Sequence, residues 1–287
     1  MSTFSVIGGD DSRFVTDRHI FRVSYEKMLF AGFTITAQVD YDDYRFADGT
    51  VYEDNALAST VSPPTGGSGR FLRKMAAIDR RWEARVEGSW VPNLQLSIIG
   101  GVEFEYLDIL RWHFPEVWAA ENIPQSTVEF TNAHFGTFLQ AQYSPIEMLK
   151  ATAGIRFDYD EIYGAVATPR AGVVLNLPAG LYVKGLFGMA FKGPSFHDLY
   201  YYRAPAFYGN PELEPESSIT GEGQIGWKPG RWFHGRITGF YTQIDKLIGY
   251  SKQDPGTPLV GGEGAFPLSQ HPDATASFSQ KRNLDKV

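Results

Sequence analysis

Hydrophobic and polar residues alternate one by one through long stretches of this chain. The clearest case is residues 149–160, where apolar side chains occupy the odd positions and mostly polar ones the even positions. Successive side chains of a β-strand point to opposite sides, so a period of two residues predicts a strand with one apolar and one polar face. Strands are expected on this basis near residues 18–29, 33–42, 81–90, 94–106, 128–144, 149–160, 166–177, 180–192, 217–228, 231–250 and 278–287. Residues 1–17 lack the pattern and are predicted to be the end of a loop.

Short turns and long loops alternate between these strands. Pro178-Ala179 and Pro229-Gly230 are examples of the short turns, and residues 48–74, 111–127 and 252–277 are the long loops. Most of the strands have the roughly ten residues that an inclined strand needs to cross a membrane. An aromatic belt is expected at the membrane interface, and four aromatic residues lie near the short turns: Trp90, Trp227, Trp232 and Phe233. The pattern predicts an all-β fold, a transmembrane antiparallel up-and-down β-barrel with short periplasmic turns and long extracellular loops.

Composition narrows the class of protein further. The chain has 287 residues, with 15% aromatic residues, 30 glycines and 17 prolines, which favours strands and turns. No stretch approaches the roughly 18 apolar residues of a membrane helix, so a membrane location requires a closed barrel. The formal net charge of -7 and the lack of a basic stripe argue against a nucleic-acid partner. The first four residues do not resemble a signal peptide, so we expect a fragment or a misplaced start.

The stretch 187–218 contains a wide loop with its own local signals. Pro194 has no backbone N–H to give to a sheet, so it is expected to end a strand. Ser195 followed by Asp198 is a capping-box pattern, which predicts a turn of helix from 194 to 200. The Asn210-Pro211 and Glu214-Pro215 pairs favour extended backbone before each proline. The chain is therefore expected to leave the sheet, form a helical turn and enter the next strand near residue 217.

These residues resemble the signature loop of TonB-dependent outer-membrane receptors of the siderophore-receptor type. The matching positions are Phe191, Pro194, Ser195, Leu199, Gly209, Asn210, Pro211, Leu213, Pro215 and Glu216. The resemblance implies a barrel of twenty-two strands, of which residues 1–287 would form one partial barrel domain of about eleven, with the plug domain and the C-terminal strands absent. It also implies contact with outer-membrane lipid in a Gram-negative bacterium. The implied function is TonB-energised uptake of a scarce nutrient, most often a ferric siderophore, with the TonB complex acting through a plug domain missing from this chain.

Aromatic and cationic residues in two long loops are the candidates for ligand binding. Aromatic faces beside cations suit a flat, anionic, partly apolar ligand such as a ferric chelate. The candidates are Arg111, Trp112, His113, Trp118, Tyr200, Tyr201, Tyr202, Arg203, Phe207 and Tyr208. The alternative for each residue is that it packs the loops together and anchors them at the interface.

Charged residues on the strands raise the question of a metal site. A charge that faces lipid near the midplane costs about 2–4 kcal/mol, so strand charges such as Arg156 and Lys184 are expected to face the lumen. Carboxylates cluster at Asp40, Asp42 and Asp43, and again at 158–161, and such groups suit hard divalent cations. A solvated acidic rim is the preferred interpretation. No metal site, cofactor or catalytic residue is predicted.

The sequence is also compatible with two other classes of protein. A passive outer-membrane channel would show the same strands without an upstream plug. A soluble β-rich binding module would also show strands with one polar and one apolar face, although soluble strands average 5–6 residues. An enzyme has little support, because there is no Gly-x-Ser-x-Gly elbow and the histidines lack metal-ligand spacing.

Overall fold

The described part of the chain is almost entirely β-strand. The computed structural model describes residues 2–4, 13–53, 71–113, 127–200, 202–203, 207–260 and 277–284, with side chains at 16–46, 77–110, 130–200, 207–260 and 277–284. The strands are β1 Ser2–Phe4, β2 Arg13–Phe30, β3 Phe33–Glu53, β4 Phe71–Asn93, β5 Leu96–His113, β6 Thr127–Ile146, β7 Leu149–Asp160, β8 Gly164–Asn176, β9 Leu181–Lys192, β10 Tyr202–Arg203, β11 Phe207–Tyr208, β12 Glu216–Gly230, β13 Phe233–Asp245, β14 Leu247–Gln253 and β15 Phe278–Leu284. Within the ranges just given there is one α-helix, α1, which spans Phe196–Tyr200.

The strands belong to two sheets. The larger sheet has eleven strands in the order β1 to β9, then β12 and β13, so each strand lies beside its neighbour in sequence except where β10 and β11 are skipped. The strand pairs β7–β8, β8–β9, β9–β12 and β12–β13 are antiparallel. The smaller sheet has four strands in the order β10-β11-β15-β14. Among the described residues, no helix is long and apolar enough to span a membrane.

The chain divides into two compact units. Unit 1 contains Met1–Tyr25, Ala37–Arg85 and Phe104–His134, and unit 2 contains Glu26–Thr36, Val86–Glu103 and Phe135–Val287. In unit 2, strands β7, β8, β9, β12 and β13 form a continuous antiparallel surface that is called the wall below. The smaller sheet also lies in unit 2.

Strand β7 of the wall buries its acidic side chains and exposes its apolar ones. Along β7, Ile155, Phe157 and Tyr159 are 52%, 43% and 51% exposed, whereas the alternating Asp158 and Asp160 are only 1% and 4% exposed. A soluble sheet shows the opposite arrangement, because water favours burial of the apolar side. Exposed apolar side chains with enclosed ionic ones are the pattern of a strand whose outer face meets lipid. The lumenal orientation expected for Arg156 agrees with its position beside Asp158.

The short turns of the wall are tied together by aromatic and backbone contacts. The β8–β9 connection is a single 3-10 turn, Pro178–Gly180, in which Ala179 and Gly180 have φ of 59° and 78°. A side chain at Gly180 would collide with the carbonyl of Lys228, so glycine is required there. The Trp227 indole N–H donates to the carbonyl oxygen of Ala179 at 3.0 Å. Trp227 also meets Phe233 edge to face, with Trp232 87% exposed nearby, as an interfacial aromatic belt requires.

Three sequence-based predictions about the strands are wrong in part. The strand expected at 231–250 is two strands, since Lys246 has φ of 58° and the chain passes there from the larger sheet into β14. The strand expected at 278–287 is β15, which belongs to the smaller sheet rather than to the wall. The expected N-terminal loop contains β1 and the start of β2, which pair with each other. Alternation identifies a strand, but it does not determine which sheet the strand joins.

Candidate functional site

The long connections after β9 and β13 pack into one structure at the loop end of the wall. We call the described residues within 193–215, 247–260 and 277–284 the loop module. Its core is apolar: Leu199 and Tyr208 are fully buried, and Phe278, Leu213 and Leu259 are 2%, 4% and 9% exposed. Tyr208 and Phe278 meet edge to face, with ring centroids 5.6 Å apart. These residues account for nearly all the buried apolar side chains among those described, so the module is the part of the chain with an ordinary water-excluding core.

The signature-loop residues form the scaffold of this module. Ser195 caps α1 through its hydroxyl oxygen, which accepts the Asp198 N–H at 3.1 Å. The Asp198 carboxylate accepts from the Ser195 N–H at 3.1 Å and from the hydroxyl at 2.6 Å, which completes the predicted capping box. Pro194, Leu199, Gly209, Asn210 and Leu213 are buried, as is expected of residues that hold a loop rather than contact a ligand.

Two amides of β15, the fully buried Gln280 and the partly buried Asn283, bond to distant segments of the module. The Gln280 amide, which is fully buried, donates to the carbonyls of Gly209 and Val260 at 3.0 and 2.9 Å, and its oxygen accepts the Val260 N–H at 3.1 Å. Asn283 donates to the carbonyls of Glu214 and Lys246 at 2.8 and 2.9 Å. Buried polar groups are costly unless they are hydrogen-bonded, so these bonds fix β15 against segments far away in sequence.

A half-buried ionic group joins α1 to β15. The Lys281 ammonium lies 2.9 Å from the Asp198 carboxylate, and both side chains are largely shielded from water. Burial of Asp198 by itself raises the pKa of its carboxyl, but the bonds from Ser195 and Lys281 together lower that pKa below its ordinary value. Burial also lowers the pKa of the neighbouring His197, with Lys281 adding to the effect and Asp198 opposing it. Burial raises the pKa of the Tyr200 hydroxyl.

Two exposed aromatic rings of the smaller sheet lie beside the shielded Lys281 ammonium. Phe207 and Tyr250 are 38% and 42% exposed, and their rings meet edge to face at 5.4 Å. The Lys281 ammonium lies 4.5 Å from the centre of the Tyr250 ring. Tyr250 is opposite Lys281 in the β14–β15 register, and Arg203 is opposite Phe207 in the β10–β11 register. We call Phe207, Tyr250 and Lys281 the aromatic platform.

The structure brings together only part of the predicted ligand-binding set. Phe207 is on the aromatic platform, and Tyr200 is half-buried on α1 with its ring centre 5.2 Å from that of Phe196, in a tilted arrangement. Tyr208 is fully buried, so the prediction of ligand contact is wrong for this residue and the packing alternative applies. The side chains of Arg111, Trp112, His113, Trp118, Tyr201, Tyr202 and Arg203 lie outside the described residues. Sequence analysis missed Tyr250 and Lys281, although both lie in alternating segments that it had assigned to strands.

The acidic clusters are bound by arginines rather than solvated. In unit 1, Asp40 accepts from Arg22 at 2.6 Å, and Asp43 pairs with Arg45 at 3.0 Å. In unit 2, Arg156 lies 2.5 Å from Glu103 and 2.7 Å from Asp158. Asp40 and Asp43 are 9% and 5% exposed, so the expected solvated rim is wrong for them. The physical reason is that arginines on the same face pair with these carboxylates, and the ion pair offsets the cost of burying each charge.

The fold and the reversed burial together define a wall of an outer-membrane β-barrel. Residues 3–287 match the family model described as TonB dependent receptor-like, beta-barrel. The chain belongs to this family, whose members are proteins of the Gram-negative outer membrane.

Curated relatives and a solved structure agree with this assignment. An iron-regulated outer membrane virulence protein of Vibrio cholerae is 28% identical over 132 residues, which are 43% of this chain and 20% of the relative. The vitamin B12 transporter BtuB of Photobacterium profundum is 32% identical over 111 residues, which are 36% of this chain and 16% of the relative. The crystal structure of the siderophore receptor PirA from Pseudomonas aeruginosa has a TM-score of 0.58 at 14% identity, covering 96% of this chain and 52% of PirA. The chain thus spans about half of that receptor.

Proposed function

We propose that this chain is part of a receptor that takes up a ferric siderophore across the outer membrane with energy from the TonB complex. The observation on which the proposal depends is family membership over residues 3–287. Relatives named for iron regulation and for siderophore reception favour an iron chelate. The TonB complex is expected to act through a plug domain, as in the resembling family.

The aromatic platform supports a ligand of this chemistry. Phe207 and Tyr250 offer exposed apolar faces, and the Lys281 ammonium beside Tyr250 is shielded and paired with Asp198. Exposed aromatic rings bind flat, partly apolar ligands through stacking. The loop module holds these side chains on a small sheet, so little conformational entropy is lost when a ligand binds.

The proposal is tested by uptake of ⁵⁵Fe-loaded siderophores into cells that express the complete receptor. We expect saturable uptake that disappears when the host lacks TonB. A passive channel is the second candidate, and it predicts unsaturable uptake that is unchanged without TonB. Labelled cobalamin is included because one relative is named as a vitamin B12 transporter. Uptake of cobalamin without uptake of any ferric chelate would contradict the choice of an iron ligand.

A double substitution, Phe207→Ala with Tyr250→Ala, tests the platform. We expect the half-saturating concentration of the siderophore to rise about tenfold with the maximal rate unchanged, since loss of stacking costs about 0.5–1.5 kcal/mol per ring. Tyr250→Phe retains the ring and serves as the matched control. An unchanged half-saturating concentration in the double variant would show that the platform does not bind the siderophore.

A further inference from the structure

The two rings of the aromatic platform come from strands that are not neighbours. Phe207 is on β11 and Tyr250 is on β14, and β15 lies between these strands in the smaller sheet. Adjacent strands are about 4.8 Å apart, so the two backbones are separated by about 10 Å. The ring centroids are only 5.4 Å apart, so the rings lean towards each other over β15. Aromatic pairs attract at about 4.5–7 Å, and a shift of β11 by about 2 Å would therefore separate them.

Backbone pairing holds β14 firmly but holds β11 weakly. All residues of β14 pair with β15, whereas β11 has only two residues with which to pair. Such a short strand gains little from its ladder, since even an isolated hairpin is marginally stable. Tyr208 anchors β11 to Phe278 in the core, but apolar contact is non-directional and does not fix how the strand is oriented. The position of Phe207 therefore depends on further, directional contacts.

The carboxamide of Gln280 supplies such contacts beside Phe207. Its Nε2 donates to the carbonyl of Gly209, two residues after Phe207, at 3.0 Å. The same nitrogen donates to the carbonyl of Val260 at 2.9 Å, and Oε1 accepts the Val260 N–H at 3.1 Å. Gln280 is fully buried and is opposite Tyr208 in the β11–β15 register. One side chain of β15 thus holds both the end of β11 and the segment that follows β14.

Asn283 repeats this arrangement at the other end of β14. Its Nδ2 donates to the carbonyls of Glu214 and Lys246 at 2.8 and 2.9 Å, and its Oδ1 accepts the Glu214 N–H at 2.9 Å. Lys246 immediately precedes β14 and has φ of 58°. Each carboxamide therefore joins the chain that follows β11 to one end of the β14 segment. The two strands that carry the platform rings are connected through β15 at both junctions.

We propose that Gln280 and Asn283 are positioning residues of the ligand site. Their bonds hold the Phe207 and Tyr250 rings at the separation at which both rings contact one ligand. The inference rests on the proposed function, because it takes the platform as the ligand contact. A site that is held in place before the ligand arrives binds more tightly than one whose rings are in place in only a fraction of the molecules. A purely structural role would change how much receptor folds, and not how tightly the folded receptor binds.

Cross-linking between the two ring positions tests the positioning without any ligand. Residues 1–287 contain no cysteine, so Phe207→Cys with Tyr250→Cys introduces a single pair of thiols into this chain. In the purified complete receptor, dibromobimane becomes fluorescent when it bridges two nearby thiols. We expect bridging to be about fivefold slower after Asn283→Ala or Gln280→Met than in this parent, since each removes the bonds of one carboxamide. Unchanged bridging in both variants would overturn the proposal.

Gln253→Ala is the matched control on the same sheet. The Gln253 Nε2 donates at 3.2 Å to the carbonyl of Ser251, which is two residues away on the same strand. Its removal loses a carboxamide bond without disconnecting two segments, so bridging should keep the rate of the parent. If Gln253→Ala slows bridging as much as Asn283→Ala does, loss of any carboxamide loosens the sheet and the positioning role is rejected.

Uptake of ⁵⁵Fe-loaded siderophore separates positioning from folding. In the complete receptor we expect Asn283→Ala to raise the half-saturating concentration about fivefold, with the maximal rate per receptor in the outer membrane unchanged. In the Phe207→Ala, Tyr250→Ala background, Asn283→Ala should not raise the half-saturating concentration further, because it acts through those rings. Equal effects in the two backgrounds, or a change in the maximal rate alone, would overturn the proposal.

Failure of this inference and failure of the proposed function give different results. If the Phe207→Ala, Tyr250→Ala variant is impaired in uptake while Asn283→Ala is not, the platform stands as the ligand contact and the positioning role is rejected. If the platform variant itself keeps the half-saturating concentration of the unaltered receptor, the platform is not the ligand contact. The positioning of its rings for a ligand is then rejected with it, even where cross-linking is slowed.

Discussion

The wall and the loop module of unit 2 bury opposite kinds of side chain. In β7 of the wall, Asp158 is 1% exposed and Ile155 is 52% exposed. In the loop module, Tyr208 is fully buried, whereas its neighbour Phe207 lies on the other face of the strand and is 38% exposed. Lipid accepts apolar groups on the outside of the wall, whereas water around the module requires that such groups be buried. The same alternation of residues therefore has opposite consequences in two solvents.

The difference also shows how each region is held together. The wall depends on backbone hydrogen bonds between paired strands, which satisfy backbone polar groups that lipid cannot satisfy. The module has only short strands, and its stability depends on a small apolar core and on the hydrogen-bonded amides of Gln280 and Asn283. Substitutions at buried positions should therefore affect the module most, and substitutions on the exposed face should affect the wall most.

The largest effect is expected for Tyr208→Ala in the loop module. Loss of a fully buried aromatic side chain removes its contact with Phe278 and leaves a cavity, which typically costs about 3–5 kcal/mol. The urea concentration at which a protease cleaves within 193–215 measures this loss. Phe207→Ala is the matched control, since the exposed neighbour should cost less than about 1 kcal/mol. Equal shifts for the two variants would contradict the assignment of Tyr208 to the core.

A somewhat smaller effect is expected for Ile155→Arg on the outer face of the wall. A charge that faces lipid near the midplane costs about 2–4 kcal/mol. The free energy of unfolding of the chain reconstituted in vesicles, measured by denaturant titration, gives this cost. Gln140→Arg is the control at the same depth, because Gln140 lies beside Gly154 on the opposite, ionic face. A loss of similar size in Gln140→Arg would mean that the two faces do not differ in solvent.

The strands of the wall were the part of the fold best predicted from the sequence. The strand expected at 149–160 is β7, and the one expected at 180–192 begins one residue later in the structure. The capping box at Ser195 and Asp198 also predicted the helical turn, which spans Phe196–Tyr200. These signals are local, because a period of two or a side-chain cap involves residues only a few positions apart.

The candidate site was predicted less well because its contacts are between residues distant in sequence. Lys246 adopts a left-handed conformation that is supported by Asn283, so the break in the expected 231–250 strand depends on β15. Tyr208 is buried because Phe278 and Gln280 close over it. A tyrosine in an aromatic loop has the same local sequence whether it faces a ligand or a core. Only the pairing of β11 with β15 distinguishes the two cases.

The smallest effect concerns the ionic group of the loop module and its dependence on pH. The pKa of Asp198 is lowered in the folded module. The ionised carboxylate therefore contributes fully to the stability of the module above the unfolded pKa near 3.9, and this contribution is lost as the pH falls through the folded pKa. We expect the free energy of unfolding of the module to fall by about 1 kcal/mol in that acid range, which makes the module more sensitive to pepsin. Asp198→Asn should be less stable at pH 7 and should lose this pH dependence, whereas Asp254→Asn, at an exposed carboxylate of the same module, should keep it. An unchanged pH profile in Asp198→Asn would mean that the bond between Asp198 and Lys281 does not hold α1 against β15.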